Sequence, residues 1–166
     1  VLWAMRLNLG REAVQEHGCA IFADLSWDVE GCQAKIGSSG GIIDVLKAMR
    51  AHPKHLGVTT RACAAIQSLA CDNETHRHTT AEHGGIGLLV LAIRTFPKVE
   101  MVQGFALSAL VSLAVTPDEK DKGSPRKKLM LDAKADEFAR GAKMAHRLSK
   151  TVVKFADLLL QALKPL

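Results

Sequence analysis

The residues in this sequence best equipped for chemistry are a group of histidines, four cysteines and two glycine-rich stretches. His76, His78 and His83 lie near Cys71, and those side-chain types together could hold zinc. Their spacing argues otherwise. On a helix, His76 and His78 point in different directions, and no spacing here matches a zinc site. Cys71 is expected to end a helix facing the core. Cys19 and Cys63 could be nucleophiles only with a base or cation beside them, and His17 is the one candidate helper. A small core slot explains both cysteines. Ser38-Ser39-Gly40-Gly41 and Gly84-Gly85-Ile86-Gly87 resemble phosphate loops in composition. They follow helices rather than strands and lack the Lys-Ser/Thr pair that completes such a loop, so they are expected to be turns. Acidic residues are scattered, without paired carboxylates. The reading is of a non-enzyme with no catalytic residue, no metal, no cofactor and no small-molecule substrate.

These residues sit in a chain built for helices. With 166 residues, 48% apolar and 23% charged, it can bury a core. Tyr is absent and aromatics total 4%, while Ala and Leu are abundant, which favours helices over sheets. Cysteines are too sparse for a disulfide scaffold, so a reducing, intracellular compartment is expected, cytoplasm or organelle matrix. No run approaches the 18 or so apolar residues of a spanning helix. The first residue is Val, and Val1 to Arg6 reads as the middle of a repeat. Upstream sequence, and any targeting peptide, is therefore expected beyond these residues.

Sliding the chain against itself by 44 residues gives an ungapped match. VLWAMR at 1–6 falls on VLKAMR at 45–50, Val14 on Val58, Cys19-Ala20 on Cys63-Ala64, and Leu25 on Leu69. Asp28 and Glu30 fall on Asp72 and Glu74, and Gly40-Gly41-Ile42 on Gly84-Gly85-Ile86. A further shift places Pro53-Lys54 on Pro97-Lys98 and Ser68-Leu69-Ala70 on Ser112-Leu113-Ala114. Fourteen of the first 44 positions are identical, where chance gives about three. The period divides into three helices. Asp72-Asn73-Glu74 caps a short first helix to about His83; Gly84-Gly85 breaks it. A second helix runs from Ile86 to Ile93 and closes before Pro97. A third, from about Val99 to Val115, places Val102, Phe105-Ala106, Ala109-Leu110 and Leu113 on one face.

In the segment VQEHGCAIFADLS, the doubled glycine followed by Ile and the helix ending in AMRAHP, residues 1–116 resemble the armadillo repeat family. The resemblance implies an all-α, right-handed α-solenoid, an armadillo-like superhelix, in which third helices line a concave surface that grips extended peptides or partner domains. In the importin-like branch of that family, the third helix carries a Trp row and, four residues on, an Asn row. At those positions this chain has Ala20, Ala64 and Ser108, then Asp24, Ser68 and Ser112. Both signature residues are missing, which argues against nuclear-signal binding. One turn earlier lie Glu16, Thr60 and Gly104. Small side chains of this kind let a helix or strand approach closely, and their hydroxyls can pair with it. The expected partner is another protein subunit, docking an apolar or mixed helix or an extended segment.

Beyond Val115, residues 117–128 read as a charged linker, with Pro117, Gly123 and Pro125. Ser124 beside Pro125 and three basic residues has the setting of a phosphorylation site, and a solvated loop explains the string equally well. Residues 129–166 are expected to form a C-terminal capping helix pair, one helix from about Lys128 to His146 and one from Leu148 to Leu163. The segment is basic: residues 126–166 hold 10 Lys and Arg against 4 Asp and Glu, while residues 1–125 hold 12 against 13. The last helix is apolar on nearly every side. Leaving several of its large side chains exposed would forfeit roughly 1.5–3 kcal/mol each. Val152, Phe155, Leu158, Leu159, Leu160 and Leu163 are thus a second expected docking surface, unless the preceding repeat absorbs them. Nucleic-acid association through the basic segment is the alternative. Membrane contact is disfavoured, because the basic residues are spread around the helix.

Overall fold

A computed structural model describes residues 1–28, 31–115 and 125–164. Among the described residues the chain is all-helical, with eleven helices and no strand. They are α1 (Leu2–Leu7), α2 (Glu12–Asp28), α3 (Cys32–Ser38), α4 (Gly41–Ala51), α5 (Leu56–Ala70) and α6 (Glu74–Glu82). The chain continues through α7 (Gly85–Thr95), α8 (Glu100–Ala114), α9 (Pro125–Asp132), α10 (Ala135–Ala145) and α11 (Lys150–Ala162).

From α3 onward the helices fall into three triplets of similar layout, and α1–α2 stands where the last two helices of a triplet would. Local chemistry sets the boundaries. His55 Nδ1 accepts from the Val58 amide at 3.1 Å, Asn73 Oδ1 from His76 at 3.0 Å, and Ser149 Oγ from Val152 at 3.2 Å. Each satisfies a donor that a helix start leaves free. The turns before α4 and α7 use both glycines. Gly40 and Gly84 adopt φ of 82° and 75°, a region closed to most side chains. A Cβ on Gly41 or Gly85 would lie within 2.8 Å of the Ile36 carbonyl or 2.7 Å of the Thr80 carbonyl. The first glycine turns the chain, and the second lets the helices touch.

Packing follows chain order. The long helices pack α2 on α5, α5 on α8 and α8 on α11, while α1, α4, α7 and α10 form a parallel series. The core runs between the two layers, with Val45, Leu46, Ile66, Leu69, Leu89, Leu107, Leu110 and Leu113 within 1% of complete burial. Polar links recur in register. Arg6 pairs with Asp44 at 2.8 Å and donates to the Ser39 carbonyl at 2.6 Å, and Arg50, one period on, donates to the His83 carbonyl. Gln15 donates to the carbonyls of Met5 and Asn8, and Gln103, two periods on, to those of Ile93 and Phe96.

The C-terminal segment differs from expectation. The single helix expected from Lys128 to His146 is two, α9 and α10, broken where Lys134 takes a left-handed conformation at φ 59°. Pro125 to Lys128, expected to be linker, forms the start of α9. Together α9, α10 and α11 reproduce the short, medium and long layout of α6, α7 and α8. His146 Nε2 lies 2.8 Å from the Pro97 carbonyl, as His52 Nε2 lies 2.7 Å from that of Leu9. Arg126 fastens α9 inward: it donates to the Leu113 and Val115 carbonyls at 2.8 and 2.9 Å and grips both oxygens of Glu74 at 2.5 and 3.2 Å. Those bonds hold the Glu74 carboxyl below the usual carboxylate range. Ser124 lies outside the described residues.

Candidate partner-binding site

The expected concave rows run along the long helices, and most of their members are buried. Thr60, Ala64, Ser68 and Ser108 are less than 10% exposed. Ala20, Glu16 and Ser112 are half-buried, and Asp24 is exposed. Thr60 Oγ1 donates to the Leu56 carbonyl at 2.7 Å, and Ser68 Oγ to the carbonyls of Ala64 and Ala65 at 3.2 Å. These hydroxyl protons are spent within α5. Small side chains here let neighbouring long helices pack closely, so the buried members add little open surface of their own.

The surface opens farther along. Between α5, α8 and α11 lies a cleft of about 330 Å³, lined by Gln67, Glu100, Met101, Gly104, Phe105, Ser108, Thr151 and Phe155. Gly104 makes the room. The nearest atom to a Cβ built there is Thr151 Cγ2 at 3.4 Å, so any larger side chain would project into the space. Met101 is 55% exposed, and Phe105 and Phe155 are half-buried, giving the cleft an apolar floor with ring edges. Lys154 Nζ sits 5.6 Å from the Phe155 ring centroid. At one end, Glu100 Oε1 accepts from Ser149 Oγ at 2.6 Å. This bond ties the start of α8 to the start of α11 and fixes the carboxylate at the rim. The cleft can take an apolar side chain and offers an acceptor and small hydroxyls beside it.

Two expected residue sets therefore meet in one place: Ser108, with Gly104 one turn earlier, and Phe155. Missed in the sequence were Gln67, Glu100, Met101, Phe105 and Thr151. A signal existed, since Phe105 and Phe155, like Met101 and Thr151, occupy matching positions of α8 and α11. It becomes readable once α9–α11 is seen as a unit.

The apolar face of the last helix is largely absorbed by the fold. Val152 and Leu159 are fully buried, Leu163 is 5% exposed, and Phe155 and Leu160 are half-buried. Leu158, at 39%, is the exposed member. As a docking surface, the expected set offers Leu158 with the edges of Phe155 and Leu160, while Val152, Leu159 and Leu163 are covered. Several basic residues of the segment are paired: Arg126 with Glu74, Lys134 with Glu137, Arg140 with Asp136 and Lys143 with Asp157.

The reactive types are dispersed. His76 is buried with Nδ1 donating to the Leu69 carbonyl at 2.8 Å, His78 faces solvent 3.0 Å from Glu82, and His83 Nδ1 lies 2.9 Å from the Thr79 carbonyl. Among the described residues no three His, Cys, Asp or Glu side chains are grouped to hold a metal ion. Cys71, expected in the core, is half-exposed at the end of α5 beside Asp72. Burial pushes the Cys19 and Cys63 thiols up to about 12, and at Cys63 the neighbouring Cys19 adds to the cost of ionising. At neutral pH both are protonated. Among the described residues no helix is long and apolar enough to cross a membrane. Compared with models of known protein families and with curated proteins, the chain matches none.

Proposed function

We propose that this chain is a non-catalytic protein-interaction scaffold of armadillo type, an accessory subunit that holds a helix or extended segment of another protein. Its three-helix units stack as a right-handed α-solenoid, each hiding the apolar face its neighbour cannot hide alone. The in-register recurrence of Gln15 with Gln103, of Arg6 with Arg50 and of Gly40 with Gly84 supports that arrangement. The observation that carries the binding role is the cleft at Gly104. A chain that only needed to pack α8 against α11 would gain from a side chain there. Instead the position is empty, between Met101, Phe105 and Phe155, with Glu100 held at the rim. An apolar anchor flanked by a donor or basic group on the partner fits that lining. The pairing of Arg126, Lys134, Arg140 and Lys143 with carboxylates supports this reading over nucleic-acid association.

The test is selection from a displayed library of helical and extended peptides, followed by titration of the enriched sequences. Peptides binding at about 1–100 µM, and weakened at least tenfold by Gly104→Leu, are the expected outcome. Enriched peptides indifferent to both Gly104→Leu and Ser108→Arg would place binding elsewhere.

A further inference from the structure

We propose, building on the scaffold reading, that the segment held in the cleft is an extended chain whose apolar anchor is flanked on both sides by acidic residues. The cleft sets where the anchor goes, and the charges around it set what must lie beside it. α5, α8 and α11 share one register: counted from Leu56, Glu100 and Lys150, the sixth residues are Arg61, Phe105 and Phe155. Phe105 and Phe155 line the cleft. Arg61 holds the same place one helix earlier and is exposed. On the far side Lys154 is exposed, and its Nζ, 5.6 Å from the Phe155 ring centroid, stands at the lip of the cleft. Lys150, one turn before it, is exposed too. Among the described residues none of these three cations makes an ion pair, unlike Arg126, Arg140 and Lys143.

Acidic residues on the same helices do not balance them. α5 has none. α8 has only Glu100, whose Oε1 accepts from Ser149 Oγ at 2.6 Å, and α11 has only Asp157, paired with Lys143 of α10 at 2.6 Å. A row across the three long helices therefore reads cation, apolar hollow, cation. Carboxylates over Arg61 and Lys154 answer both charges at the solvated rim, so they select the guest and its register while the anchor supplies affinity. Glu100 is left to take a donor from beside the anchor. Packed helices lie about 8–10 Å apart, which sets α5 and α11 roughly 16–20 Å apart across α8. An extended chain covers that distance in about five or six residues, with the anchor near the middle. A nucleic-acid strand on this row would carry a phosphate at every step, including past the Glu100 carboxylate. A peptide can place charge at the two ends alone.

The test is a displayed peptide library with a fixed central Trp or Leu and free flanks, selected on wild type and on the double variant Arg61→Glu with Lys154→Glu. Both positions are exposed, so the variant is expected to keep the wild-type melting curve. Wild type is expected to enrich Asp or Glu about three places to either side of the anchor, and the variant Lys or Arg there. Peptides selected on wild type are expected to bind the double variant at least tenfold more weakly, with the difference shrinking as salt rises. Lys35→Glu with Lys47→Glu, the same change in net charge on α3 and α4, is expected to leave binding unaltered. Peptides that need Gly104 but show no acidic preference, or that bind the double variant as tightly as wild type, would overturn the charge assignment and leave the scaffold reading standing. Peptides indifferent to Gly104→Leu, or no binder on wild type, would remove both. A single-stranded oligonucleotide that displaces the selected peptides and loses affinity in the double variant would hand the two cations to nucleic acid and overturn the proposal.

Discussion

Replacing Gln103 by Met keeps the length and bulk of the side chain and removes its two N–H donors. Gln103 is 1% exposed and donates from Nε2 to the Ile93 carbonyl at 2.9 Å and the Phe96 carbonyl at 3.0 Å. The first acceptor matters most. In a continuing helix the Ile93 carbonyl would receive the amide of the residue four on, which is Pro97 and has none. Phe96 keeps a second donor, the Val99 amide at 3.1 Å. The substitution therefore leaves one buried carbonyl without a partner and weakens another. A buried unsatisfied group costs about 1–3 kcal/mol, and Met recovers part of that through burial, so a net loss of about 2 kcal/mol is expected. For a chain of this size that lowers Tm by about 4–8 °C. Gln15→Met provides the internal comparison. Its Nε2 makes the same two bonds, but its Oε1 is buried without a partner, so removing the amide also removes a penalty. Gln15→Met is expected to lose about 1 kcal/mol less. Urea unfolding followed by circular dichroism at 222 nm measures both. Equal stability of Gln103→Met and wild type, or a larger loss at Gln15, would refute the assignment. The consequence reaches the cleft, since the α7–α8 turn sets where Glu100, Met101 and Gly104 stand.

Lys134→Gly is expected to stabilise the protein by about 0.5–1 kcal/mol, because a left-handed Lys costs more than the chain entropy of Gly; thermal melts check it. Under native conditions at pH 8, alkylation mapped by mass spectrometry is expected to label the partly exposed Cys71 while sparing Cys19 and Cys63, which are buried and whose thiols burial pushes up to about 12. Labelling of Cys63 as fast as Cys71 would show an open core. The Glu74 carboxyl titrates below its unfolded value, so its contribution is fully present above about pH 4.3 and fades as pH falls through the lower folded value. Glu74→Gln is expected to lower stability at pH 7 and to converge with wild type near pH 2; parallel curves at both pH values would rule this out. Glu74 is partly exposed, so salt is expected to shrink the difference.

Much of the architecture was legible because punctuation and period agree. Asn73 caps α6, Gly84-Gly85 separates α6 from α7, and Pro97 follows the end of α7, as the residues require. The last triplet was hidden because its turn lacks the usual marker. Lys134-Ala135 occupies the place of Gly40-Gly41 and Gly84-Gly85, so the apolar spacing of α9 and α10 reads as one continuous helix. Packing forces the left-handed turn that propensity would not choose. The cleft was only half legible for the same reason: with α11 out of register, Phe155 could not be matched to Phe105. Burial of Thr60, Ala64 and Ser68 was invisible for a different reason. Small residues serve equally for an open wall and for close helix contact, and only the distance between α2, α5 and α8 decides.

The grip of Arg126 has a bearing on how this chain can change over generations. Successive second helices start at residues 41, 85 and 135, so the final step is longer than the one before it. The extra length falls between α8 and α9, and it alters nothing in the docking of α9, because Arg126 anchors itself to groups on the near side of that stretch. Insertions and deletions there should be tolerated by selection, making this connection the place where relatives would vary in length and where an epitope or reporter could be spliced in without loss of the last unit.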